Sequence, residues 1–326
     1  MDQTWLWVGF NAFVLVMLAV DLWVFHRDAH EVTPTEAATW TVVWVTLGLA
    51  FGVGVYTFMG RAAGMEYFAG YLIEKALSVD NIFVFVLIFG YFRIPLRYQH
   101  RVLFWGILGA LIMRGILIVV GAYLIQQFHW ILYLFGAFLV FSGIRMAMQS
   151  EHGMDLETNP VIRLIRRLLP VSASYHGQKF FVREALPGGT RLVATPLFVV
   201  LVLVETTDLI FAVDSIPAIF AVTQNPFIVY SSNVFAILGL RAMYFLLADV
   251  IHRFHYLKIG LSSVLVFVGA KMLIADVYKI PIELSLGIVA FMLAASIVVS
   301  LLWPPPPTTT HAAPLASDIE RQPHDS

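Results

Sequence analysis

Three carboxylic acids, Glu205, Asp208 and Asp214, sit inside the apolar stretch VETTDLIFAVDSIPAIF at residues 204–220. Two more, Glu74 and Asp80, lie in the stretch EKALSVDNIFVF at residues 74–85. Neutral oxygens surround them: Ser78 and Asn81 in the first stretch, and Thr206, Thr207 and Ser215 in the second. Carboxylate, amide and hydroxyl oxygens together suit hard divalent cations such as Mg2+, Ca2+ and Mn2+. A carboxylic acid in a low dielectric can also carry a proton. The chain has no Cys to bind a soft metal, and none of its 10 His lies in the acidic stretches.

Basic residues stand among the same apolar segments: Lys75, Arg114, Arg145, Arg241 and Lys271. Five acids facing five bases would also serve as structural ion pairs. A charge at the bilayer centre nevertheless costs about 3 kcal/mol, and such residues are usually kept for ions, protons or substrates. The bases are expected to balance the acids when no cation is bound. Six residues of helix rise about 9 Å and turn about 240°. Glu74 and Asp80 therefore point in different directions, as do Asp208 and Asp214. A single compact site requires either unwinding of the helix or ligands from both stretches. Pro217 cannot donate to the Val213 carbonyl, which favours the first route in the second stretch. Each single hydroxyl also has a plain alternative, an intrahelical hydrogen bond.

The elements that must position these residues are apolar helices. The chain is 60% hydrophobic and 13% charged, against about 25% charged for a soluble domain. Nine segments approach the 20 or so apolar residues that a span needs: 5–25, 39–59, 66–90, 102–125, 129–148, 195–220, 231–250, 258–276 and 282–303. The fold expected is an all-α integral membrane protein with a transmembrane domain over 1–303. The first segment lacks a basic flank and a cleavage motif, so it reads as a span rather than a signal peptide. The connector at 149–194 holds VIRLIRRLLP, residues 161–170, a basic amphipathic run. It reads as a solvated connector, with a helix on the anionic inner leaflet as the alternative. The Pro-rich tail, 304–326, is expected to be disordered.

With the N-terminus outside, 13 Lys and Arg fall on the inner side: Arg27, Arg93, Arg97, Arg101, Arg163, Arg166, Arg167, Lys179, Arg183, Arg191, Arg253, Lys258 and Arg321. Arg61 and Lys279 alone fall outside. That asymmetry predicts an N-out, C-in protein. The net charge of −1 gives no sign of a nucleic-acid partner. The expected partners are the bilayer and a divalent cation carried as substrate, with no cofactor.

The acidic stretches repeat. Glu74 aligns with Asp208, and Val79-Asp80-Asn81 with Val213-Asp214-Ser215. FLVFSGIRM (138–146) echoes VLVFVGAKM (264–272), placing Arg145 on Lys271, and Arg114 has a counterpart in Arg241. Predicted helices three to five (about 66–148) thus repeat as six to eight (about 195–276). The offset is odd, so the copies are inverted, as in many transporters whose site lies where the halves meet.

EKALSVDNIFVF, ETTDLIFAVDSIPAIFAVT and SSNVFAILGLRAMYFLL resemble the TerC/Alx family of bacterial integral membrane proteins. The resemblance covers about residues 5–300 and lapses in the tail and parts of the connector. It implies a multi-pass protein of the bacterial inner membrane, related to cation and small-solute exporters. It also implies links to tellurium resistance, pH-responsive expression and manganese homeostasis. The activity implied is export of Mn2+ or a similar divalent cation, with Glu74, Asp80, Asn81, Glu205, Asp208, Asp214 and Ser215 as the motif residues. Two other readings are a non-transporting scaffold or stress sensor with structural ion pairs, and a membrane enzyme. Neither a phosphate-binding Gly loop nor a nucleophile–base arrangement supports the enzyme.

Overall fold

The computed structural model describes residues 3–25, 32–148, 159–172, 174–186, 189–248, 250 and 256–303. In chain order the elements are α1 (Gln3–Phe25), α2 (Pro34–Met59), α3 (Arg61–Tyr91), α4 (Leu96–Gln127), α5 (Ile131–Met148), α6 (Pro160–Leu168), β1 (Phe181–Leu186), β2 (Gly189–Ala194), α7 (Pro196–Phe220), α8 (Pro226–Leu238), α9 (Leu240–Leu247), α10 (Leu257–Leu273) and α11 (Ile282–Leu302). Proline opens α2, α6, α7 and α8, where its missing N–H costs nothing. Asn159 and Asn225 cap α6 and α8 by accepting from Val161 and Phe227 N–H groups. Gly60, at φ 97°, turns the chain from α2 into α3.

Every predicted segment falls on a helix, but not always as one piece. The segment expected at 231–250 starts earlier, at Pro226, and breaks at Gly239 into α8 and α9. A Cβ at Gly239 would lie 2.9 Å from the Lys75 Nζ and 3.0 Å from the Trp44 Cβ, so the break is packed tightly from two sides. Among the described residues, six helical stretches are long and apolar enough to cross a membrane: α2, α4, α5, α7, α8–α9 taken together, and α11. Helix α1 carries a shorter apolar run, Thr4–Val20. Helix α3 is long enough at 31 residues but carries Glu66, Glu74, Lys75 and Asp80, and α10 has only 17 residues. The protein is a multi-pass, predominantly helical membrane protein.

Helices α3 and α7 pack on each other. Helix α3 packs against α2, α7 and α8, and α4 lies along α7. Helix α8 is buried over nearly its whole length, among Phe10 of α1, Phe51 of α2 and its own Phe227 and Phe235. Helix α5 packs closely on α10 through small residues. A Cβ on Gly143 would lie 2.8 Å from the Ser262 carbonyl, and one on Gly269 would lie 2.7 Å from the Gly136 carbonyl. Such contacts let backbones approach where lipid offers no hydrophobic driving force.

The connector is more structured than expected. Helix α6 buries Ile162 and Ile165 in the same apolar cluster as Ile88, Phe89, Leu197 and Val200. Strands β1 and β2 form an antiparallel hairpin, with Arg183 opposite Leu192 and Glu184 opposite Arg191. Tyr175 donates its hydroxyl to the Phe92 carbonyl at the end of α3, at 2.5 Å. Partial burial pushes this phenol above its usual range. The run expected as a solvated connector is thus a helix with Ile162 and Ile165 buried and Arg163, Leu164, Arg167 and Leu168 exposed. The tail at 304–326 and the loops holding Arg27 and Arg253 lie outside the described residues.

Candidate functional site

Helical periodicity lines up the polar groups. Residues 74, 78 and 81 share one face of α3, and 208, 212 and 215 share the matching face of α7. The two faces meet around Arg114 of α4, which is 2% exposed. Its Nε donates to Asp208 Oδ2 at 3.1 Å and its Nη2 to Asp208 Oδ1 at 2.9 Å. Its Nη1 donates to the Glu74 carboxylate and, at 3.2 Å, to the Ser215 hydroxyl. Asn233 of α8 donates to Glu74 at 3.1 Å, and Asn81 donates to Asp208 at 3.2 Å. Ser215 thus meets Glu74 through the shared Arg114 Nη1. One guanidinium thus holds two carboxylates from different helices in fork-like, charge-assisted bonds.

The helices do not unwind to achieve this. Both α3 and α7 run unbroken past their acids, Pro217 included. The fold brings the two acidic stretches together, and it gathers only part of the expected set. Asp80 and Asp214, six residues further on, face elsewhere, as 240° of rotation requires. Asp214 accepts from Ser142 of α5 at 2.8 Å and lies within electrostatic reach of Arg145. Asp80 lies within reach of Lys258 of α10 and of Asp214. Glu205 presses its carboxylate against Gly109 of α4, and its Oε2 is buried without a hydrogen-bond partner. The single compact site is therefore corrected to a central pair, Glu74 and Asp208, with Asp80, Asp214 and Glu205 on separate contacts. Among the described residues no three His, Asp or Glu side chains converge as a metal-holding group.

The bases divide likewise. Lys75 donates to the Ala236 carbonyl at 3.2 Å. Lys271 lies near Glu66, whose carboxylate accepts from Thr223 at 2.5 Å. Arg241 donates to the His100 Nε2 at 3.0 Å. Of the neutral oxygens, Thr206 and Thr207 bond back to Val202 and Leu203 in their own helix. Ser78 Oγ and Asn81 Oδ1 are buried with no hydrogen-bond partner. A narrow cavity of about 10 Å3 opens beside Asp208 toward Phe85, Leu103 and Leu240, room for about one water. Asn233 and Ser142 were not anticipated. The polar triplet Ser231-Ser232-Asn233 in an otherwise apolar helix was the available signal for the first.

A family model described as "Integral membrane protein TerC family" matches residues 59–305. The chain belongs to the TerC family. It is 54% identical over 297 residues to "Uncharacterized membrane protein STKORF319" of Myxococcus xanthus, covering 91% of this chain and 92% of the relative. It is 50% identical over 304 residues to "Putative membrane-bound redox modulator Alx" of Escherichia coli (strain K12), covering 90% and 94%. An "Uncharacterized membrane protein" of Rickettsia bellii is 39% identical over 296 residues, covering 91% and 97%. No solved structure matches the chain significantly. The TerC match takes in both acidic stretches, Arg114 and Asn233.

Proposed function

We propose that this TerC-family protein is a secondary transporter that exports a divalent cation, Mn2+ above all, from the cytoplasm across the bacterial inner membrane in exchange for protons. The observation that carries the proposal is the convergence of Glu74 and Asp208, from different helices, on one buried cation, Arg114. Two carboxylates around a buried positive charge form a socket whose electrostatics already accept a cation. Hard oxygen donors, with Ser78 Oγ and Asn81 Oδ1 unpartnered beside them, match Mn2+ in ligand type. In this reading Arg114 neutralises the socket between cycles, and an arriving cation competes with it for Glu74 and Asp208. Asp80, Asp214 and Glu205 serve as further stations for metal or proton.

Nine spans, N-out and C-in, remain the topology we propose, with α3–α5 and α7–α10 as inverted repeats. Reciprocal contacts support the repeat. At an offset of 134, Asn81 matches Ser215 and Glu74 matches Asp208; Asn81 bonds Asp208 while Ser215 and Glu74 share Arg114 Nη1. At an offset of 126, Gly143 matches Gly269 and Gly136 matches Ser262; Gly143 meets Ser262 while Gly269 meets Gly136. Exchange of partners is what a two-fold relation between copies produces.

The E. coli relative's name speaks of redox modulation. This chain has no Cys, so thiol–disulfide exchange is closed to it, and moving a redox-active metal is a route to such an effect. A scaffold or stress sensor is the second reading, because Arg114 satisfies Glu74 and Asp208 as a structural ion pair would. The test is Mn2+ uptake into proteoliposomes with and without a pH gradient, for wild type, Glu74→Gln, Asp208→Asn, Asp80→Asn and Asp214→Asn, each checked for folding. Gradient-dependent flux in the wild type, lost in folded Asp208→Asn, supports the transporter. Absence of flux from folded wild type for Mn2+, Ca2+ and Mg2+ alike leaves the scaffold.

A further inference from the structure

Helix α6 has two apolar faces, and among the described residues only one of them is packed. Ile162 and Ile165 are buried in one cluster with Ile88, Phe89, Leu197 and Val200, and α6 packs on α7. Leu164 and Leu168, one turn apart, form a second ridge that is 56% and 69% exposed. Arg163 and Arg167, also one turn apart and exposed, form a row beside that ridge. Leu169 continues the apolar surface beyond the helix. The basic character extends across the module: Lys179, Arg183 and Arg191 are exposed too, and Arg183 stands opposite the exposed Leu192 on the hairpin.

The buried face fixes where the exposed ridge lies. Ile162 and Ile165 tie α6 to the first turns of a 25-residue apolar helix. The leucine ridge is therefore held at the level where α7 enters the bilayer, beside the bundle rather than out in solution. Leucines at that level, flanked by an arginine row, match the pattern of an interfacial helix: apolar side chains among the acyl chains, guanidinium groups on lipid phosphates. Arginine suits phosphate because it can bond two oxygens at once.

We propose that α6 is a membrane-surface anchor that binds anionic phospholipid headgroups through Arg163 and Arg167 and dips Leu164 and Leu168 into the leaflet. It clamps the connector between the bundle and the bilayer. The occupant is lipid rather than another protein because α6 packs on a helix long and apolar enough to cross the membrane, and the exposed Arg163 and Arg167 flank the ridge.

The absence of Cys allows a direct test on the full chain. Leu168→Cys carries an environment-sensitive fluorophore, with Thr190→Cys on the hairpin as a second site. Both proteins are placed in vesicles of phosphatidylcholine, with or without phosphatidylglycerol. The expected result is a blue-shifted label at 168, quenched by brominated acyl chains several-fold more strongly when phosphatidylglycerol is present. Arg163→Gln with Arg167→Gln should weaken the immersed state roughly fivefold per arginine removed and remove the phosphatidylglycerol dependence. A label at 168 that stays open to aqueous iodide in both vesicles overturns the proposal. So does a shielded label that ignores lipid charge but follows protein density, which would mean contact between copies. The measurement needs no transport, so it stands or fails apart from the cation reading.

Discussion

Arg114 and Asp208 are joined by two parallel hydrogen bonds, Nε to Oδ2 at 3.1 Å and Nη2 to Oδ1 at 2.9 Å, in a part of the bundle with almost no solvent access. The same guanidinium still has Nη1 for Glu74 and Ser215. A lysine ammonium is a point charge without that fork and cannot reproduce the arrangement.

Arg114→Lys should therefore destabilise the protein, and Arg114→Ala should do so more, by about 3–5 kcal/mol, because two buried carboxylates lose their partner. Thermal unfolding in detergent measures this. Arg114→Ala combined with Glu74→Gln and Asp208→Asn should recover much of the loss, since the uncompensated charge is gone. A triple variant no more stable than Arg114→Ala would mean that the guanidinium acts through packing rather than charge.

The contact between α5 and α10 gives a prediction of steric origin. A Cβ at Gly143 or Gly269 would come under 3 Å of a facing carbonyl, and backbone cannot yield as a side-chain tip does. Gly143→Val and Gly269→Val should each cost about 1–3 kcal/mol through overpacking. Gly287 of α11, with open space around it, should accept alanine with little change. The comparison by melting temperature separates close approach from any general cost of altering a membrane glycine.

Much of this architecture was legible because lipid imposes a single backbone solution, and hydropathy reads it directly. The acidic stretches were legible because Glu74, Asp80, Asp208 and Asp214 are expensive in such segments. Their grouping was not. Six-residue spacing announced that Asp80 must leave the Glu74 face, yet which partner each acid meets depends on helix crossings that no local pattern encodes. Asn233 was hidden for the same reason: it reaches Glu74 from α8 across 159 residues of sequence. The hairpin was missed because its alternation is short and sits between breaks. The second apolar face of α6 was missed because a nine-residue helix reads simply as amphipathic until its buried side is known.

Tyr175 ties the connector to α3 by one hydrogen bond, to the Phe92 carbonyl. Tyr175→Phe should loosen that attachment by about 1 kcal/mol, seen as faster proteolysis of the connector. The phenol is held above its ordinary range by burial, so its neutral form is the one that stabilises the fold. That contribution is complete below the unfolded value near pH 10 and fades as pH rises through the higher folded value. Wild type should lose protection in that alkaline window by more than Tyr175→Phe does. Equal losses would assign the alkaline sensitivity to other groups.

Ser78 and Thr207 offer the sharpest test of the cation socket, because both are hydroxyls of the acidic stretches and their bonding differs. Thr207 donates to the Leu203 carbonyl at 2.8 Å and is spent within its own helix. Ser78 Oγ is fully buried and has no hydrogen-bond partner among the described residues. A buried hydroxyl left without a partner costs free energy unless something arrives to use it. If that something is the transported ion or its water, Ser78→Ala should raise the apparent KM for Mn2+ by about fivefold, the equivalent of one lost bond near 1 kcal/mol, with thermal stability unchanged or improved. Thr207→Val should leave the apparent KM where it is. Equal, negligible effects of both substitutions in an active transporter would remove Ser78 from the ligand set and leave Glu74, Asp208 and Asn81 to hold the cation.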